Sequence, residues 1–227
     1  MKLFPIKQLV LCSLLVLHSV ANSQALATGK TPWQQKCQTF ESEALCAEHF
    51  SKQVYEQHSK VVSHTGEHLV VKLTSGRTKL ISDAQERYAV TDYLAQSEYL
   101  VVRQQYSQGN TWLLLSLQSG LLTKIDAYPI FSPNQKYFFA WEPSSDLPDN
   151  LPIARIFRTS HPVPIPEWQS ECEDILEWRL ASASWASDVE LTLQQGLLSP
   201  QLVQVVQYKK PKAGRRWLAK NLDCAAP

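Results

Sequence analysis

Between Tyr88 and Trp141 the chain passes through five short apolar runs, each closed by its own turn, and no other feature restricts its folding so tightly. The runs are Tyr88–Leu94, Tyr99–Tyr106, Thr111–Leu117, Leu121–Ile125 and Tyr137–Trp141. Gln96-Ser97-Glu98, Ser107-Gln108-Gly109-Asn110, Gln118-Ser119-Gly120 and Ser132-Pro133-Asn134 separate them. Runs of about 4–8 β-branched, aromatic and leucyl residues are too short for buried helices, and a tight turn sends each back beside its predecessor. The expectation is an antiparallel meander.

Similar signals flank this stretch. Lys60–Ser63, His68–Leu73 and Arg77–Ile81 read as strands joined by the turns at Gly66 and Gly76. After a polar loop at 143–150 come Ile153–Phe157 and the alternating prolines of His161–Pro166, whose missing donors favour an edge strand or an extended linker. The last third offers Ile175–Leu180, Val189–Leu193, Leu202–Tyr208 and Arg216–Leu218, with Lys209–Gly214 as a hairpin tip. The segment before the strands is helical in pattern. Thr31 can cap, Pro32 suits the first helical position, Gln34 completes a capping box, and Trp33, Cys37 and Phe40 share a face. Cys37 and Cys46 cannot bridge along one straight helix, where a rise of about 1.5 Å per residue carries them out of reach. A break is expected at Glu41-Ser42-Glu43, with a second short helix running to Phe50.

Met1, Lys2 and Lys7, the apolar run Leu9–Val20 and the small residues between 21 and 27 form the pattern of a secretory signal peptide, too short and too interrupted for a membrane anchor. The organisation is therefore residues 1–23 as signal, 24–58 as an N-terminal helical segment and 59–227 as a β-rich domain. No transmembrane anchor is expected after cleavage, and the destination is periplasmic or secreted. Loss of Lys2 and Lys7 from 22 basic residues, against 21 acidic ones, leaves the mature chain near neutrality. Nucleic acid is not an expected partner, since that affinity comes from a concentrated basic face. Of five cysteines, Cys12 leaves with the signal. The remaining four suggest two disulfides, and Cys37–Cys46 with Cys172–Cys224 is the favoured pairing of three.

Tyr99–Val102, Trp112–Leu117 and Gly120–Leu122 are followed some forty residues on by a similar succession, Tyr137–Ala140, Ile153–Arg158 and Pro162–Ile165, a spacing of about 40 residues that suits one four-stranded blade. Phe131-Ser132-Pro133-Asn134-Gln135-Lys136-Tyr137-Phe138 resembles the F-S-P-D-G-K turn that opens a strand in β-propellers of the TolB and WD-repeat kind, with Asn134 at the Asp position and Gln135 at the Gly position. The wider layout also resembles an uncharacterised family of small exported bacterial proteins, and this likeness implies no activity. A closed propeller needs more strands than residues 59–227 supply. The expected fold is mainly β, antiparallel meanders forming a partial or irregular β-propeller-like stack, with a short disulfide-linked N-terminal helical segment.

The sharpest chemical motif is His64-Thr65-Gly66-Glu67-His68, which fits the H-x-x-E-H pattern of inverted zinc peptidases. That pattern works on a helix, where both histidines share a face and the glutamate serves as base. Gly66 at its centre and valines on either side place it on a hairpin tip, with His64 and His68 facing each other as a solvated pair. Scattered glycines leave no phosphate cradle or nucleophile elbow. Glu171, Glu173, Asp174 and Glu177 read as a solvated acidic rim. Lys209, Lys210, Lys212, Arg215 and Arg216 concentrate at one hairpin, either to grip an anionic partner or to charge a late edge strand. Most of the seven tryptophans read as core, and Trp168 is the expected exposed one.

No cofactor is implied. The favoured reading is an exported, non-catalytic protein-interaction module of the inhibitor or immunity kind, acting on another envelope or exported protein. The alternative is a binder of envelope glycan, peptidoglycan above all. A metal-dependent hydrolase using His64, Glu67 and His68 is the third.

Overall fold

A computed structural model describes residues 31–66, 68–82, 87–107, 109–125, 127–142, 153–169, 178–197, 203–210 and 217–220. The expected signal peptide, Glu67, Cys172, Cys224, Lys212, Arg215, Arg216 and the acidic run at 171–177 lie outside the described residues. Among the described residues two helices, α1 (Pro32–Lys36) and α2 (Glu43–Gln57), precede fifteen strands. A first sheet holds β1 (Val62–Thr65), β2 (His68–Lys72) and β3 (Thr78–Ser82). The second holds β4 (Arg87–Leu94), β5 (Tyr99–Tyr106), β6 (Gly109–Ser116) and β7 (Leu122–Ile125). The third holds β8 (Ile130–Phe131), β9 (Tyr137–Glu142), β10 (Ile153–Arg158) and β11 (Ile165–Gln169). The fourth holds β12 (Trp178–Ser187), β13 (Glu190–Leu197), β14 (Val203–Lys209) and β15 (Leu218–Lys220). Each sheet is an antiparallel meander of consecutive strands, and among the described residues the four share no ladder.

Side-chain alternation along the strands stacks these sheets. Leu100 and Val102 of β5 point to one face, Tyr99 and Val101 to the other, and all four are buried. Leu100, Val102, Leu113 and Leu115 pack with Val62, Leu69, Val71 and Ile81 of the first sheet. Tyr99, Val101 and Leu114 pack with Phe138 and Ala140 of the third. Along β9 the same switch recurs, so that Phe139 and Trp141 meet Leu191, Leu193 and Tyr208 of the fourth. Four layers therefore enclose three apolar cores in series. At roughly 1.5–3 kcal/mol for each fully buried aliphatic or phenyl side chain, these interfaces outweigh any single polar contact. The last sheet turns Ser182, Ser184, Thr192 and Gln194 outward, opposite to the row of Ala183, Trp185, Leu191 and Leu193.

The helices cover part of the second sheet. Thr31 and Gln34 form the capping box, and Ser42 caps α2 after the break that the Cys37–Cys46 bridge requires, with a Cα–Cα distance of 5.5 Å. Instead of stopping at Phe50, α2 runs on to Gln57, fifteen residues in all. Tertiary packing extends it: Cys46, Ala47, Ser51 and Val54 share one buried face, and the Val90 N–H at the β4 bulge donates to Ser51 Oγ at 2.9 Å. An edge strand with unpaired donors is thereby covered. α1 is seated by Lys36, whose ammonium lies 2.8 Å from Asp92 and 2.6 Å from the Tyr128 hydroxyl. The rings of Trp33, Phe50 and Tyr128 surround that ammonium.

One end of the stack is belted by turns that hydrogen-bond from sheet to sheet. Thr74 N–H donates to Leu117 O, linking the first and second sheets. Gln135 Oε1 accepts from Gln96 N, Ser97 N and Ser97 Oγ, linking the second and third. Asn134 donates through its backbone N and Nδ2 to Asp188, linking the third and fourth. Gly120 stands at close quarters in this belt: a Cβ there would lie 3.2 Å from both Leu73 and Lys79, at a φ of +76°.

Candidate functional site

The opposite end of the stack carries the hairpin tip singled out by its histidines. Register settles their geometry. His64 pairs with Leu69 and Thr65 with His68, so His64 shares the face of the buried Leu69 while His68 projects from the other face. The expectation that the two histidines face each other is corrected: they are diagonal, on opposite sides of the hairpin, and cannot close on one ion from a common face. Among the described residues no group of three potential metal ligands converges. His64 instead lies beside Tyr55 of α2, ring centroids 6.2 Å apart.

The described members of the basic group are engaged within the molecule. Lys209 meets Glu190, its cross-strand neighbour, at 2.5 Å. Lys210 bonds Glu167 and, at 2.9 Å, the Tyr137 hydroxyl, clamping the fourth sheet to the third. Burial disfavours the Lys210 ammonium, but the hydrogen bonds and charge of Glu167 and Tyr137 outweigh it and hold the group above its ordinary range. Trp168, expected to be exposed, is half-buried with its ring edge on Tyr208, 4.6 Å between centroids. It belongs to the interface of the third and fourth sheets.

A serine–histidine pair that the sequence did not advertise joins the second and third sheets. His161 Nε2 lies 2.9 Å from Ser97 O, which makes it the donor, and Nδ1 is left to accept from Ser116 Oγ at 2.9 Å. Hydrolytic nucleophiles use this arrangement, base oriented by a third group. Ser116 is fully buried, however, and His161 stacks on the buried ring of Tyr99 at 4.8 Å, so no substrate carbonyl can approach the hydroxyl. The pair fastens the 159–164 loop.

Among the described residues, a groove of about 960 Å³ lies between α2, the β1–β2 tip and the outer ends of β4 and β5. Lys52, Glu48 and Glu56 of α2 form one lip, Arg87 and His64 the other, and Tyr55 and Arg103 line it more deeply. No family model matches the chain, and no curated protein matches its sequence. The geometry of this groove therefore carries the functional reading.

Arg103 is its most unusual member. It follows Tyr99 and Val101 on the inward face of β5, beside Trp112 on β6, and only 6% of its surface is exposed. Its Nη2 lies 3.7 Å from Glu43 Oε2 and its Nη1 3.4 Å from Gln105 Oε1, while Nε has no hydrogen-bond partner. Burial pulls the guanidinium below its ordinary range, and Glu43 offsets part of that. Burial likewise raises the Tyr55 hydroxyl, against the opposing influence of Ser51 and the Val90 N–H. The signal for Arg103 was present in the sequence, as a charge at an inward position of an apolar run, but alternation alone could not say what covered it.

Proposed function

We propose that the chain is an exported, non-catalytic protein-interaction module, a propeller-like fan of four meanders that receives a segment of another envelope or exported protein, in the manner of an inhibitor or immunity protein. The observation that carries this reading is the groove at the end of the stack away from the turn belt. At one end the turns spend their hydrogen-bonding groups on each other. At the other, among the described residues, a groove has charged lips and an aromatic, aliphatic wall, the combination by which recognition sites bury apolar area and orient a ligand through a few polar groups. Four consecutive meanders packed face to face support the likeness to propeller blades. Export is supported by the Cys37–Cys46 bridge within the core and by the pattern of residues 1–23.

A photoreactive residue in place of Lys52, which is exposed on the lip, tests the proposal in whole cells. A discrete adduct with one envelope or exported protein is the expected result. If no adduct forms and the chain instead sediments with purified sacculi, the glycan-binding reading replaces it.

A further inference from the structure

The groove's deepest charged group is incompletely paired, and the deficit has a chemical shape. A guanidinium removed from water costs several kcal/mol unless its donors are met, and charge-assisted hydrogen bonds settle at about 2.7–2.9 Å. Arg103 reaches neither condition: its contacts stand at 3.4 and 3.7 Å, and Nε has none. Glu43, the nearest acid, keeps 36% of its side chain exposed and so neutralises the cation only loosely. Arg87 adds positive charge at one lip, and at the other Lys52 stands beside Glu48 and 3.9 Å from Glu56. A planar, two-oxygen anion entering between them meets a fork of matching geometry.

We propose that the groove binds a carboxylate side chain from an acidic segment of the partner protein, with Arg103 as its anchor and Glu43 as the internal group it displaces. The inference rests on the interaction-module reading and names the chemistry of the partner. A protein carboxylate is favoured over that of a glycan because sugar rings call for broad exposed aromatic faces, whereas the groove's Tyr55 and Tyr88 are half-buried and the tryptophans with described side chains lie elsewhere. Trp33, Trp112, Trp141 and Trp217 are buried in the cores, and Trp168 and Trp185 pack against the third core.

The test is a titration of the disulfide-bonded chain with the acetylated, amidated peptide Gly-Tyr-Glu-Val-Gly and with its counterpart carrying Gln for Glu. Arginine Nε–H signals are followed by NMR, and that of Arg103 is identified by its loss in Arg103→Lys. The Glu peptide is expected to shift the Arg103 signal saturably, and the Gln peptide to bind about tenfold more weakly. Glu43→Gln removes the internal competitor and is expected to tighten the Glu peptide about threefold, which no general loss of folding would imitate. An equal response to both peptides, an Arg103 signal unmoved at saturation, or weaker binding in Glu43→Gln overturns the anchor. A response to muramyl dipeptide alone overturns it in favour of the glycan. An adduct from position 52 that persists unchanged in Arg103→Lys removes the anchor yet leaves the interaction module standing, whereas absence of any adduct removes the module itself.

Discussion

Gln135 sits at a φ of +55° in the Ser-Pro turn, a region that costs a side chain about 1–2 kcal/mol and that glycine enters freely. The side chain is retained there to some purpose, since its Oε1 accepts from three donors of the neighbouring sheet's turn. Gln135→Gly relieves the backbone but strips the acceptor from half-buried groups, and we expect a net loss of about 1–2 kcal/mol in urea unfolding. A gain in stability would mean that the backbone term dominates. Asp188 makes the next link of the belt. Its partial burial disfavours the charge, but the Asn134 N–H and amide, Ser132 and Lys136 prevail and hold the carboxyl below its ordinary range. A depressed folded-state value means stability that is present above the unfolded carboxylate range and is lost as pH falls through the folded one. The difference in Tm between wild type and Asp188→Asn is therefore expected to be largest near neutral pH and to shrink under acid conditions. A difference independent of pH would show that the carboxylate charge is immaterial.

The helical entry illustrates how far local signals reach at the scale of an element. The capping box at Thr31 and Gln34, the proline at the first position and the break before Glu43 were all legible, because caps and disulfide reach are short-range constraints. The length of α2 was not, since residues beyond Phe50 become helical through burial against β4 rather than through propensity. β12 was similarly underestimated. Its Ala-Ser-Ala-Ser-Trp stretch is small and polar, and only the fourth sheet's inward row reveals that Ala183 and Trp185 form its buried side. Replacing both Cys37 and Cys46 by serine opens a short loop, a loss of about 2–3 kcal/mol on the chain-entropy account. Urea unfolding measures it, and the loss is expected without change in hydrogen exchange in β13 and β14, whose core holds no helical residue among those described.

At the scale of the whole molecule, the serial cores make each sheet's stability depend on its neighbours. Neighbouring residues of β9 serve different interfaces: Phe138 faces the second sheet and Phe139 the fourth. Each Phe→Ala change is expected to cost about 3–5 kcal/mol. The two should differ in where protection is lost. Hydrogen exchange in Phe139→Ala is expected to accelerate in β13 and β14 while β5 and β6 stay protected, and Phe138→Ala is expected to loosen the contact with β5 and β6 instead. Identical exchange maps for the two variants would contradict the layered architecture.

By itself the sequence determined most of the strands and turns of the first three sheets, because these follow from alternation and from the short reach of a turn. It also determined that Cys37 and Cys46 require a helix break. The tertiary structure decided which residues face one another: it separated His64 from His68, drew Lys210 and Trp168 into the interface of the last two sheets, and placed Arg103 in the groove beneath α2. Pattern along a strand assigns a residue to a face, but what covers that face depends on contacts distant in sequence, and on those the candidate site depends.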